Sequence, residues 1–444
     1  VKTTLTPTDW AAAGAPPVGP QGVVLPRQPV HTVYGGAHLF RADTVAKMGV
    51  VALGLLDRFA PDGASLADAL GLALPKERAD GLRARVVDKL RREPIEDYRI
   101  DFEDGFGLRS DDEESREAER SATELARAER SRTAPPQVGL RIKPLVGSTA
   151  RRAAETLDRF LTTLVRELGG LPPGFVVTLP KVESESEVNR LADLLDRLEA
   201  GLELRRGVLR VELMVESTRA LVDTEGRLAL PRLVAAGRGR VVGAHFGTYD
   251  YTASCGVVAA HQSMGHPACG FALQVMQACL AHTGVLLSDG ATNTLPIPPH
   301  RAPKSASEEA ENAVRVRGAW SVHADNIRRS LALGYYQSWD LHPGQLPVRY
   351  AVFYDFFERH RGPTAERLVR FLAEATRATV SGQTFDDAAT GQGLLNFFLR
   401  AWSSGAMTTD ELERATGHRA EDLARRSFAA LVAAQAREPG DPRG

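Results

Sequence analysis

Cysteine is scarce: Cys255, Cys269 and Cys279 are the three among 444 residues, and none forms a CxxC pair. That spacing argues against a zinc site and a disulfide framework and leaves reduced thiols as the simple expectation. Cys255 lies close after Asp250, but a small buried thiol is the plainer reading than a nucleophile. Net charge is scarce too, formally −1, which removes the electrostatic case for nucleic acid or an anionic membrane as partner. Apolar runs stay short of the roughly 18 residues a membrane span needs. The first residues lack the basic-then-apolar order of a signal peptide, so a cytoplasmic location is expected. Neither GxGxxG nor a P-loop occurs, and no short repeat is apparent.

What is present is a series of apolar runs rich in β-branched residues, each followed by a helical pattern. Residues 1–29 read as an irregular N-terminal arm rich in Ala, Pro and Gly. His31-Thr32-Val33-Tyr34-Gly35-Gly36 then opens a run of eight strands. The others centre on 99–104, 138–143, 175–181, 209–216, 243–250, 284–289 and 336–342. Helices are expected at 44–59, 111–132, 150–168, 184–198, 218–236, 268–282 and up to 333. In the third of these, Leu157, Leu161, Leu164 and Leu168 recur at helical spacing. Near-continuous apolar strands alternating with helices indicate a parallel sheet. The count of eight favours a closed (β/α)8 TIM barrel, an α/β fold, over 30–347. Residues 348–444 read as a C-terminal helical extension or lid.

Barrel enzymes work where their strands end, and polar residues gather at those positions. The second strand delivers Glu103 and Asp104, the third Arg141 and Lys143, the fourth Lys181 and then Glu183. The fifth delivers Glu216, the sixth His245 and Asp250, the seventh Asp289 and the eighth His342. Glu216 and Asp250 on neighbouring strands suit Mg²⁺, with Mn²⁺ as the substitute, because Mg²⁺ asks the protein for only one or two carboxylates. Such an ion acts as a Lewis acid on a substrate carbonyl. The plainer alternative is that both acids cap the helices that follow. Arg141 offers a planar fork for a carboxylate or an enolate oxygen, or else pairs structurally with Glu103 or Asp104. Lys181 reads as a Schiff-base lysine or, more simply, as the partner of Glu183 or Glu216. His342 reads as a packed histidine before it reads as a base, and His245 more so. Arg141, Glu103, Asp104 and Lys181 are the catalytic candidates. Arg141, Lys143, Gly247, Thr248 and His342 are the substrate-binding candidates.

Six segments in order carry a family resemblance: Asp101-Phe102-Glu103-Asp104, Arg141-Ile142-Lys143, Pro180-Lys181-Val182-Glu183, Val215-Glu216-Ser217, Phe246 to Tyr251, and Leu341 to Gln345. Together they resemble the citrate lyase β-subunit-like and hydroxy-oxo-acid aldolase family of the phosphoenolpyruvate/pyruvate barrel superfamily, as a divergent member. The resemblance implies Mg²⁺ on Glu216 and Asp250, with Arg141 against a substrate carboxylate or thioester oxygen. It also implies a trimer or hexamer in which the C-terminal segment covers a neighbour's site; Asp386 and Asp387 are the guesses for that segment's acid. Departures stand at Tyr34-Gly35-Gly36-Ala37-His38, where a Pro-containing turn is usual, and at Lys143, where asparagine is common.

The expectation is therefore a Mg²⁺-dependent carbon–carbon lyase or aldolase acting through a metal-stabilised enolate. Its substrate would be a hydroxy-acid, its CoA thioester or a hydroxy-oxo-acid. One rival keeps the barrel but transfers phosphoryl groups from phosphoenolpyruvate, with Lys143, Lys181 and His342 serving the phosphate. A second rival is a non-catalytic barrel subunit or scaffold.

Overall fold

The computed structural model describes residues 27–281, 283–380, 388–425 and 427–435. Most of the expected N-terminal arm, and both Asp386 and Asp387, lie outside them. In chain order the elements are β1 (His31–Gly36), α1 (Thr44–Phe59), α2 (Gly63–Ala69), α3 (Lys76–Arg92), β2 (Asp97–Asp101), α4 (Asp111–Ser131), β3 (Gln137–Arg141) and α5 (Ala150–Leu168). Next come β4 (Val176–Leu179), α6 (Glu185–Gly201), β5 (Arg210–Val215), α7 (Thr218–Leu221), α8 (Leu230–Ala236), β6 (Val241–Phe246), α9 (Thr248–Ser254) and α10 (Pro267–Leu280). The chain continues through β7 (Leu286–Ser288), α11 (Ala306–Ala332), β8 (Ser338–Asp340), α12 (Leu346–Val380), α13 (Ala388–Ser403), α14 (Thr409–Thr416), α15 (Ala420–Arg425) and α16 (Phe428–Gln435).

The eight strands are all parallel, in the order β7-β6-β5-β4-β3-β2-β1-β8. The seam between the two ends is sewn just past β7. Asp289 N–H donates to the Gln337 carbonyl at 2.9 Å and Trp339 N–H to Gly290 at 3.0 Å, and Ala291 bridges Trp339 in parallel. The fold is the (β/α)8 barrel. Both strand faces are covered, so β2 and β4 are buried at every position, as parallel sheets require. The helices close the outside with one apolar stripe each. α5 buries Leu157, Phe160, Leu161 and Leu164, and Phe160 stacks on Phe175 and meets Phe102 edge-on. α4 begins on Ser110, whose hydroxyl accepts the Glu113 N–H at 3.2 Å; Asp111, Asp112, Glu113 and Glu114 fill its first turn, where the helix dipole favours negative charge. No helix of the described residues is long and apolar enough to cross a membrane.

Two elements differ from expectation. The helix expected over 218–236 is broken into α7 and α8. Between them Val222 pairs with Leu228, the Asp223 carboxylate takes the N–H groups of Glu225 and Arg227, and Gly226 has a φ of 77°. An aspartate accepting backbone N–H groups ahead, followed by a left-handed glycine, makes a turn more stable than another helical turn. The sixth strand stops at Phe246, so Asp250 lies in the first turn of α9. The C-terminal region also has a defined seat. α12 packs on α11, α3 and α1 and so serves as the barrel's eighth outer helix. Beyond it, Arg400 donates to the Gln28 side chain at 2.8 Å and covers the Tyr336 ring, and Arg85 reaches the Ala406 carbonyl. Gln28 and Tyr336 precede β1 and β8, so these contacts brace the foot of the barrel, opposite the strand ends that carry the polar residues.

The barrel interior is charged. Arg99 is 1 % exposed; it donates to Glu212 at 2.9 and 2.5 Å and pairs with Asp97. Replacing one member of such a group strands its partners in a low-dielectric interior. Arg99→Met is therefore expected to lower unfolding stability by about 3–5 kcal/mol, measured by urea denaturation. A loss below about 1 kcal/mol would show that Asp97 and Glu212 are satisfied without it.

Candidate active site

At the mouth of the barrel the register of β2 and β3 sets Asp101 beside Arg141. Arg141 Nε donates to Asp101 Oδ1 at 2.6 Å, and Nη2 donates to Oδ2. This bidentate clamp leaves Nη1, which lies 3.2 Å from Glu103 Oε2 and 3.7 Å from Met214 Sδ. The guanidinium sits 4.8 Å over the Tyr34 ring. Burial opposes its charge, but Asp101 and Glu103 outweigh burial and hold it protonated. Asp101 is itself fixed by the N–H groups of Glu103 and Gly105 at 2.9 and 2.7 Å. Asp101, the last residue of β2, is thus the acid that clamps the arginine, and Glu103 and Asp104 pair with it through Nη1, at 3.2 and 3.7 Å.

Lys181 follows β4 with a φ of 49°, a left-handed conformation that costs a non-glycine residue free energy. The turn points its N–H at Glu216 Oε1, 2.6 Å away, while its ammonium pairs with Glu103 and with Asp104 at 3.2 Å. Glu216 is 2 % exposed. Burial pushes its carboxyl up to about 7, against the pull of Lys181 and Arg141 and with the added repulsion of Asp250 and Glu103. Gly247 makes room for it: a Cβ there would fall 2.5 Å from Glu216 Cβ and 2.7 Å from Oε2. Asp250 is exposed. Glu216 follows β5 directly, and Asp250 stands in the first turn of the helix that starts beside Gly247, the glycine packed on Glu216. Among the described residues no group of three or more His, Cys, Asp or Glu is arranged around a metal position; a two-carboxylate site suits only an ion that keeps most of its waters, as Mg²⁺ does.

The DUF6986 model, described as a domain of unknown function, matches residues 20–431. The chain belongs to the DUF6986 family. No curated protein matches it by sequence. Among solved structures it is similar to CitE from Mycobacterium tuberculosis in complex with magnesium and acetate: 16 % identity and a TM-score of 0.39, over 73 % of this chain and 90 % of that one. It is also similar to Haloferax volcanii malate synthase in a magnesium and glyoxylate complex, with 16 % identity and a TM-score of 0.42, over 93 % of this chain and 98 % of that one. The pyruvate and acetyl-CoA ternary complex of the same synthase gives 16 % and 0.39 over the same shares. At such distances they assign no residue of this DUF6986 chain a role.

The remaining candidates in the DUF6986 chain are spread out. Lys143 turns to the outer layer, donating to the Phe102 carbonyl at 2.6 Å and to buried Glu114 at 2.7 Å, so it does not join Arg141. His342 Nδ1 accepts the Gly344 N–H at 3.0 Å, capping the turn that starts α12, and burial lowers its pKa. Thr248 is buried with its hydroxyl against Gly290. Asp289 bonds Ser330 at 2.6 Å behind the seam, Glu183 is exposed, and Cys255 is exposed rather than buried. Residues that sequence reasoning did not select include Tyr34, Met214 and Trp339, which form the floor with Ala291. A signal was present: Thr32 and Tyr34 alternate along β1, so both face inward.

Glu216 ordinarily titrates near 4.5 and here near 7. Between those values the native state binds more protons than the unfolded chain, so this residue's contribution to stability is lost as pH rises. In metal-free buffer, Glu216→Gln should gain on wild type from pH 4.5 upward, by up to about 3 kcal/mol at pH 8. Urea melts that stay parallel across that range would contradict this environment for Glu216.

Proposed function

We propose that this protein is a Mg²⁺-dependent enzyme that makes or breaks a carbon–carbon bond in a small carboxylate substrate, or its CoA thioester, through an enolate. The observation that carries the reading is the seat of Glu216: it is buried, takes the Lys181 N–H on Oε1 and packs on Gly247, from which α9 starts with Asp250 in its first turn. A buried carboxylate bonded to a single backbone N–H, with a second acid in the first turn of the helix that starts beside it, suits a hydrated divalent ion. When bound, Mg²⁺ supplies a Lewis acid for the substrate carbonyl.

The chain's own residues do the rest. Asp101 occupies two nitrogens of Arg141, and the third, Nη1, which Glu103 neighbours at 3.2 Å, has a second N–H to meet a substrate carboxylate or a developing oxyanion. Lys181 holds Glu103 and Asp104 in place with its ammonium and steadies Glu216 with its backbone. Lys143 is committed to Glu114, which weakens the phosphoryl-transfer alternative. Assembly as a homotrimer or homohexamer belongs to the same proposal.

Isothermal calorimetry with MgCl₂ tests the reading directly. Wild type should bind one ion, and Glu216→Gln and Asp250→Asn should each weaken binding at least tenfold while melting cooperatively. Unchanged affinity in both variants would overturn the assignment.

A further inference from the structure

Rivals for the proton-transfer role at the mouth are already occupied. Lys181 holds both Glu103 and Asp104, and His342 spends Nδ1 on a backbone N–H. The floor holds a different group. Tyr34 is half-buried as a residue, lies under Arg141 and sits 4.4 Å from the Trp339 ring; burial of its phenol, with Glu212 beside it, raises its pKa and keeps it protonated at rest. Its hydroxyl is 2.9 Å from His245 Nδ1. On the far side of the imidazole, Nε2 is 3.2 Å from Glu212 Oε1. A carboxylate only accepts, so Nε2 carries the hydrogen and Nδ1 offers a lone pair. Tyr34 is then the donor.

The inner end of this chain is anchored by hydrogen bonds. Arg99 clamps Glu212 with two hydrogen bonds and Thr178 adds a third at 2.9 Å, while His245 is 2 % exposed. Phenol, imidazole and carboxylate thus run from the floor into the barrel with one polarity. A second observation marks the same floor: Trp339 Nε1 is buried with no hydrogen-bond partner among the described residues, which leaves a donor for a polar ligand atom.

We infer that Tyr34, coupled to His245 and Glu212, is the general acid–base that moves the proton at the substrate's α-carbon. The inference rests on the enolate reading above. In the forward direction the Tyr34 oxygen takes the α-proton as its own hydroxyl proton passes to His245 Nδ1. The C–H electron pair becomes the C=C π bond of the enolate, the carbonyl π pair moves onto its oxygen, and Glu212 balances the imidazolium. The reverse sequence protonates the enolate carbon, so no external oxidant or acid is needed. Tyr34 is the catalytic residue; His245 and Glu212 are positioning residues.

The test uses the full chain with MgCl₂ in D₂O, with pyruvate and then acetyl-CoA as probes, following loss of the methyl proton signal by NMR. Wild type should exchange at least one of them. Tyr34→Phe should slow exchange about 100-fold or more, the usual scale of general acid–base catalysis, with Mg²⁺ affinity within twofold of wild type. In metal-free, ¹⁵N-histidine-labelled protein, His245 should show the Nε2–H tautomer, and its Nδ1 resonance should move in Tyr34→Phe. That readout needs no turnover, and a merely space-filling tyrosine would leave it unmoved. Wild-type exchange in folded, Mg²⁺-binding Tyr34→Phe, or an Nδ1–H tautomer at His245, overturns the relay alone. Absence of exchange of both probes by wild type overturns the enolate reading and the relay with it.

Discussion

The clamp between Asp101 and Arg141 is the constraint on which the rest of the mouth depends. A guanidinium that is 4 % exposed has to be paired, because an isolated charge in such a place is costly. Asp101 meets that demand from the adjacent strand, and it can do so only because the β2–β3 register sets the two residues side by side. Once two of the arginine's donors are taken, the remaining nitrogen has one direction left. Glu103 is drawn to it, Lys181 is drawn to Glu103, and the left-handed turn at Lys181 brings its N–H to Glu216. Each step follows from the one before by the need to pair a charge.

Pairing does not run to completion, and where it stops is informative. Arg99, Arg141 and Lys181 face Asp97, Asp101, Glu103, Asp104, Glu212, Glu216 and Asp250. Arg99 is spent deep in the barrel on Asp97 and Glu212, and Arg141 and Lys181 are spent chiefly on Asp101, Glu103 and Asp104. The deficit therefore falls on buried Glu216 and exposed Asp250. A hydrated divalent cation fits that deficit better than another lysine would, because it brings its own water ligands and leaves positions for a substrate. The scaffold alternative gives no reason to maintain a buried carboxyl at so unfavourable a place.

The barrel was legible in the sequence because its signal is periodic. β1, α1 and α5 have the bounds their patterns indicate, since burial on one face fixes both the pattern and the element. The site was legible only to the level of which strand ends bear polar groups. Lys143 and Arg141 are two residues apart, yet Arg141 turns into the mouth and Lys143 out to Glu114 on α4, a pairing set by how the helix packs on the sheet. Linear order also does not reveal which carboxylate of three lies level with the arginine: the register gives Asp101 the bidentate bond and leaves Nη1 to Glu103 and Asp104. The break between α7 and α8 was in plain view as Asp223 and Gly226, but turn chemistry was outweighed by helical composition on either side.

The floor illustrates how a local departure acquires meaning only in three dimensions. At 34–36 the sequence reads Tyr-Gly-Gly, unlike the turn expected of similar barrels, and on its own this is a change of loop. In the fold, Gly36 pairs with Asp101 in the strand register while Tyr34, two residues back, faces the interior below Arg141. His245 is likewise unremarkable in sequence, a histidine among apolar residues of β6. Its position opposite Met214 in the β5–β6 register carries it across the interior to Tyr34 on one side and Glu212 on the other. A histidine that bridges a phenol and an anchored carboxylate has its tautomer dictated by the carboxylate, so the polarity of the chain is fixed before any ligand arrives. The same ion-pair accounting that anchors Arg141 thus also anchors Glu212, through Arg99, and the interior charges of the barrel serve the mouth as well as the fold.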